Sequence, residues 1–321
     1  MNVTGIAAYC LFLLITGYVL PGRASLRISR IVGWTLAAAT VCLSGVLAND
    51  APPVVRMAII VFMQLLSMKL LVSIESYPLG NRLSPAQWVA FALGWFGMNP
   101  KLFERLPGPA LFSRGLAFKG LSRIVAAVIM LFISFAAGKY SFLAMLFVPQ
   151  LLLLTAISLI LHFGLLNLSA SWWRLLGADV PELFRAPYRS RSLKEFWGRR
   201  WNLAFSEMTA LILYRPLKSK VGGQAAMMLS FLLSGALHEI AISLPVRSGY
   251  GLSMLYFAIH AVAMNLESRP AFARALNQSR GFAFVWVFGM LIIPLPLLFH
   301  HQFITHVLEP IREQVLRLFG G

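Results

Sequence analysis

Long runs of apolar residues, in place of a 3.6-residue stripe, dominate this chain and fix the solvent it folds in. Residues 3–20, 31–48, 54–74, 115–137, 141–166, 224–244, 250–266 and 281–299 each read as a candidate span, because an apolar run of about 18 residues or more matches the thickness of a bilayer's hydrocarbon. Only 12% of the 321 residues are charged, about half the roughly 25% of an ordinary soluble domain. That leaves too little polar surface to cover a water-soluble globule. The expected fold class is all-α: a polytopic integral membrane protein with about eight transmembrane helices, forming one membrane domain over 1–321.

Two further stretches are apolar but irregular. Residues 85–98, PAQWVAFALGWFGM, are short and rich in Trp and Gly, which suits a helix lying at the membrane interface. Residues 196–213, FWGRRWNLAFSEMTALIL, carry two arginines near their start, so the apolar part falls short of the roughly 20 residues of a full crossing. This segment is expected to be re-entrant or packed inside the bundle. Charge supports that reading. If 196–213 does not cross, 22 of the 28 Lys and Arg residues fall in loops on one side and five on the other, with Lys69 inside a span. The positive-inside rule then puts the basic loops in the cytoplasm. The net charge of +17 follows from the same loops and does not call for nucleic acid. The N-terminal stretch lacks a basic leader and a small-residue cleavage site, so it reads as a retained first span.

Ionisable groups inside hydrocarbon are costly and mark candidate sites. His238 and Glu239 lie in QAAMMLSFLLSGALHEIAISLPV. Ser230 and Ser234 precede His238 by eight and four residues, sharing its helix face, and Gly235 beside that face allows a close approach. A neutral imidazole there can accept a proton from a hydroxyl; the competing reading is a structural hydrogen bond between helices. Glu239, about 100° around the helix, fits a structural contact better than proton transfer. A second constellation is SLKEFWGRRWNLAFSEM, residues 192–208. Ser192 followed by Glu195 is a capping-box pattern, and the spacing predicts Glu195, Arg199 and Asn202 on one helix face. Asn202 can hold a carbonyl or orient a hydroxyl without carrying charge. Arg185, Arg189, Arg191, Arg199 and Arg200, with Lys194, form a cationic mouth, which topology alone would also explain. His260 is a further candidate lining residue inside a span. The six histidines show no metal-ligand spacing, and Cys10 and Cys42 both lie in apolar runs, so no metal site is expected. No GxSxG elbow supports a serine hydrolase.

At these motifs the sequence resembles the wax synthase branch of the membrane-bound O-acyltransferase family. The resemblance runs from about Phe184 to Glu267, through FRAPYRSRSLKEFWGRRWN, FLLSGALHE and the Tyr256–Glu267 segment, with WFGMNPKLF at 95–103 upstream. It implies that His238 is the catalytic histidine and Asn202 the second signature polar residue. It also implies a helical fold enclosing a chamber, with acyl-CoA entering from the cytoplasmic side as co-substrate and no resident cofactor. The expected reaction moves a fatty acyl group onto a lipophilic alcohol. In that scheme the arginines hold the CoA phosphates, and Ser234, Glu239 and His260 are expected around the substrates. Other acceptors, such as a sterol, terpenoid or sugar hydroxyl, stay open. A proton-coupled transporter is the competing class, although no repeated halves are visible.

Overall fold

A computed structural model describes residues 1–80, 82–140, 142 and 148–318. Among these the secondary structure is helical throughout, with no strand. Among the described residues six helices are long and apolar enough to cross a membrane: Leu26–Leu47 (α2), Pro53–Ser76 (α3), Arg114–Ala137 (α5), Val148–Leu175 (α6), Leu203–Val246 (α7) and Arg280–Leu298 (α9). Val3–Val19 (α1) and Leu252–Glu267 (α8) are apolar but shorter, at 17 and 16 residues. A further helix, Pro85–Gly94 (α4), starts in a capping box between Ser84 and Gln87. The eight expected spans thus correspond to six long helices and two short ones. The expected span 141–166 runs later than predicted, to Leu175, and its residues 141 and 143–147 lie outside the described ones.

Burial on these helices is inverted relative to a soluble fold. Helix α2 buries Ser29, Gly33, Ala37, Thr40 and Ser44 and exposes Ile28, Ile31, Leu43 and Val46. Small residues bring helix backbones together, while the large apolar side chains point to lipid, where they cost nothing. This pattern, with the long spans, makes the chain a multi-pass integral membrane protein.

The single expected domain divides into two compact units, residues 1–104 with 185–300, and residues 105–184 with 301–321. The first unit carries the motifs. In it α1, α2 and α3 run alternately up and down. Arg30 and Glu75 form an ion pair of 2.6 Å where α2 begins and α3 ends. At the opposite end Arg56, near the start of α3, donates to the Pro245 carbonyl near the end of α7 at 2.7 Å. The end of α3 therefore lies at the end of the unit away from Pro245, and with it sit the basic stretches 21–30, 185–200, 214–220 and 267–280.

Lys69, left unassigned by the sequence, is fully buried in α3. Its ammonium donates to the carbonyls of Phe91, Trp95 and Gly97 at 3.1, 2.8 and 2.5 Å and lies over the Phe91 ring. Three protons meet three acceptors at the carbonyl-rich end of α4, which is what makes a buried cation tolerable. Those bonds, with Trp88 donating to the Leu14 carbonyl at 2.9 Å, dock the Trp-rich 85–98 stretch on α1 and α3. Val89 and Leu93 remain exposed on its other face.

Candidate active site

The site is built around a reversal of the chain. A straight helix would hold Phe205 and His238 roughly 50 Å apart at 1.5 Å per residue. Their rings lie 5.9 Å apart. The chain must fold back between them, and the backbone leaves helical values at Gly222, with φ 82° and ψ 160°. Only glycine reaches that conformation at low cost. Helix α7 is thus a hairpin of two arms, and the first arm, with the residues leading into it, is the segment expected from the sequence to be re-entrant.

The approach to that arm differs from the single helix the spacing predicts. Leu193–Glu195 is one helical turn, capped by Ser192, whose hydroxyl accepts from the Glu195 N–H at 3.0 Å. Phe196–Arg200 then winds as a π-helix, Trp201 is extended, and Asn202 is left-handed at φ 45°. The helix restarts at Leu203, with the Asn202 carboxamide oxygen accepting from the Phe205 N–H at 3.2 Å. Asparagine tolerates that backbone and caps well. Glu195, Arg199 and Asn202 therefore do not share a continuous face. A five-residue turn sets Arg200 over Glu195 in place of Arg199, and the two form an ion pair of 2.6 Å. Arg200 also donates to the carbonyls of Arg185 and Ala186. It braces the segment.

His238 is half-buried on the second arm of α7. Its Nδ1 lies 2.7 Å from the Ser234 carbonyl, one turn back. A carbonyl only accepts, so Nδ1 carries the hydrogen of a neutral ring and Nε2 carries the lone pair. The ring packs between Phe257, at 4.4 Å between centroids, and Phe205. Asn202 is one capping bond from that contact, and with its oxygen committed to the cap its NH2 group is left to donate. Gly235 admits α8: a Cβ there would stand 2.8 Å from the Met254 sulfur and 3.1 Å from the Met254 Cα. Glu239 accepts from the N–H groups of Gly251 and Met254 at 2.8 and 3.2 Å, so both its oxygens cap the start of α8. Buried Ser234 supplies its carbonyl to His238.

His260, on α8, is fully buried and donates through Nδ1 to the Tyr256 carbonyl at 2.8 Å. Its ring stands edge-on to Trp197 at 5.4 Å. At the end of α8 Glu267, to which no role was assigned, accepts from the N–H groups of Leu193 and Lys194 at 2.7 and 3.1 Å and from the Trp286 indole at 2.8 Å. It ties the start of the 192–208 segment to α8 and α9. In the sequence it shows only as an acid beside a basic loop, at the end of the stretch that carries the resemblance. Arg185, Arg189, Arg191 and Arg199 are exposed at the same end. Glu195, partly buried, is pushed up by burial, but the Arg191 N–H and the Arg200 guanidinium outweigh this and hold its carboxyl below the usual range.

Residues 180–259, which contain both Asn202 and His238, match the model of the membrane bound O-acyl transferase family. The chain is thus a relative of the membrane-bound O-acyltransferases over its site-bearing segment. Within that family its similarity runs to the wax synthase branch. A long-chain-alcohol O-fatty-acyltransferase of Simmondsia chinensis is 29% identical over 144 residues, covering 41% of this chain and 40% of the relative. The probable long-chain-alcohol O-fatty-acyltransferase 7 of Arabidopsis thaliana is 34% identical over 112 residues, covering 31% and 33%. An acyl-CoA–sterol O-acyltransferase 1 of Arabidopsis thaliana is 26% identical over 159 residues, covering 43% and 46%. The chain spans less than half the length of these relatives.

Proposed function

We propose that this protein is a membrane-bound O-acyltransferase that moves a fatty acyl group from acyl-CoA to a long-chain alcohol, giving a wax-type ester. One observation carries the reading: the Nδ1–H of His238 is spent on the Ser234 carbonyl, leaving a lone pair at Nε2, within a segment matched to acyltransferases. In this scheme Nε2 takes the proton of the alcohol hydroxyl as its oxygen attacks the thioester carbon. The carbon–sulfur bond breaks, and the imidazolium returns the proton to the sulfur, so ester and free CoA leave. General-base help of this kind is worth roughly 10²–10⁴ in rate. The Asn202 NH2 group donates to the carbonyl oxygen as charge builds on it. Arg185, Arg189, Arg191 and Arg199 hold the CoA phosphates by charge-assisted hydrogen bonds, with Arg200 bracing them through Glu195.

The bundle then crosses the membrane eight times, α1 and α8 included, with the basic end in the cytoplasm. That orientation follows from the gathering of basic loops at one end of the first unit.

The test is expression in a host fed defined alcohols, followed by lipid extraction and mass analysis of new esters. His238→Ala should accumulate like the parent and make no ester. Normal ester formation by that variant would remove the proposed base. The relative that carries a sterol acyltransferase name supports a second acceptor, and a sterol-fed arm of the experiment decides between the two.

A further inference from the structure

The 192–208 segment and α8 run side by side in a fixed order. Leu193 meets Glu267, Trp197 meets His260, and Phe205 meets His238, which packs on Phe257. Taking 1.5 Å per residue along α8, His260 lies roughly 10 Å inward from Glu267 and Phe257 roughly 15 Å. His260 and Trp197 therefore lie roughly two thirds of the way from Glu267, at the basic end, to the Phe257 ring that packs on the proposed base.

At that depth sit two unspent polar atoms. His260 Nε2 and Trp197 Nε1 are both buried, and neither has a hydrogen-bond partner among the described residues. Nδ1 of His260 donates to the Tyr256 carbonyl, so Nε2 is an acceptor, while the indole N–H can only donate. Two such atoms on adjacent rings inside an otherwise aromatic packing of Phe231, Tyr256 and Phe257 are costly unless something meets them. One donor beside one acceptor is the complement of a secondary amide.

The geometry points to Trp197 and His260 as the pair that grips an amide of the pantetheine arm of acyl-CoA, an inference that rests on the acyl-CoA reading above. Pantetheine carries its two amides between the phosphates and the thioester sulfur. With phosphates at the arginines and the thioester at His238, an amide passes the depth of Trp197 and His260. A hydroxyl would satisfy the same two atoms, but the acceptor hydroxyl is needed at His238, beyond Phe257.

The test uses the full chain in lipid nanodiscs and two non-reactive probes, S-hexadecyl-pantetheine and a dialkyl sulfide of equal length without amides. Trp197→Phe removes the N–H and little else; His260→Phe removes the acceptor and keeps a ring. Each should weaken S-hexadecyl-pantetheine binding roughly tenfold and leave the sulfide unchanged. Together they should cost less than the product of the two, because both hold one group. Equal losses for both probes would mark a packing role and overturn the assignment, as would no loss for either. Ester formation by the parent protein, measured alongside, separates the two ideas. Esters with unaltered pantetheine binding in the variants sink the amide site alone. The expected binding pattern without esters sinks acyl transfer and keeps the amide site. No binding and no ester removes both.

Discussion

The two ends of the first unit both carry arginines, and they use them in opposite ways. At the end where α3 begins and α7 finishes, Arg56 donates to the carbonyls of Ala48, Asn49, Ala51 and Pro245, at 3.3, 2.7, 2.9 and 2.7 Å. Arg247 joins it on Asn49. These cations are structural pins that collect the backbone acceptors left at helix ends. At the basic end Arg189, Arg191 and Arg199 are exposed, and their side chains make no hydrogen bond among the described residues. A rule that counts charges per loop treats both sets alike. Their partners separate them: one set is consumed by the fold, and the other has its guanidinium groups uncommitted to any hydrogen bond among the described residues.

The largest test of that contrast is at the pinned end. Arg56→Met leaves the Ala51 and Pro245 carbonyls without their donor, since Asn49 keeps Arg247 and Ala48 keeps the Ala51 N–H, and should lower unfolding stability in detergent by about 2 kcal/mol. Its KM for acyl-CoA should stay at the parent value. A raised KM with unchanged melting would mean that the pinned end also meets substrate, and the contrast would fail. The reverse is expected at the basic end. Arg191→Ala with Arg199→Ala should leave melting unchanged and raise the KM for acyl-CoA roughly three- to tenfold, the size of exposed charge pairs, with kcat little altered. High salt should shrink the effect. Unchanged KM would return these arginines to topology alone.

What the sequence made legible was set by periodicity and solvent. Apolar runs, the shortfall of 196–213 from a crossing length, and the gathering of basic loops all follow from residue type and spacing, whereas the reversal of the chain at Gly222 is visible only in the structure. The shared faces expected along 192–208 were not recovered. They assume 3.6 residues per turn, and no residue there announces a π-turn or the left-handed backbone of Asn202. Lys69 shows the same limit differently. A lysine mid-span can be a functional charge or a satisfied one, and only the three carbonyls that converge on it from 91–97 decide. Trp197 and Glu267 escaped notice because their meaning lies in partners 60 or more residues away along the chain.

The smallest expected effect sharpens the contrast from inside the basic end, where Arg200 forms an ion pair with Glu195 and Arg199 forms none among the described residues. Burial pushes the Glu195 carboxyl up, and the Arg191 N–H and Arg200 guanidinium more than reverse it. A group whose folded value is depressed adds stability that is fully present above its unfolded value, about 4.3 for Glu, and lost as pH falls through the lower folded value. Glu195→Gln should therefore cost about 0.5–1 kcal/mol at neutral pH, and the difference from the parent should shrink as the pH is taken down through the acid range. Arg199→Gln, with no such partner, should give a melting curve parallel to the parent at every pH. If Arg199→Gln shows the acid-sensitive difference instead, the five-residue turn that sets Arg200 over Glu195 is wrong, and the division of this end into one bracing arginine and several ligand-facing ones goes with it.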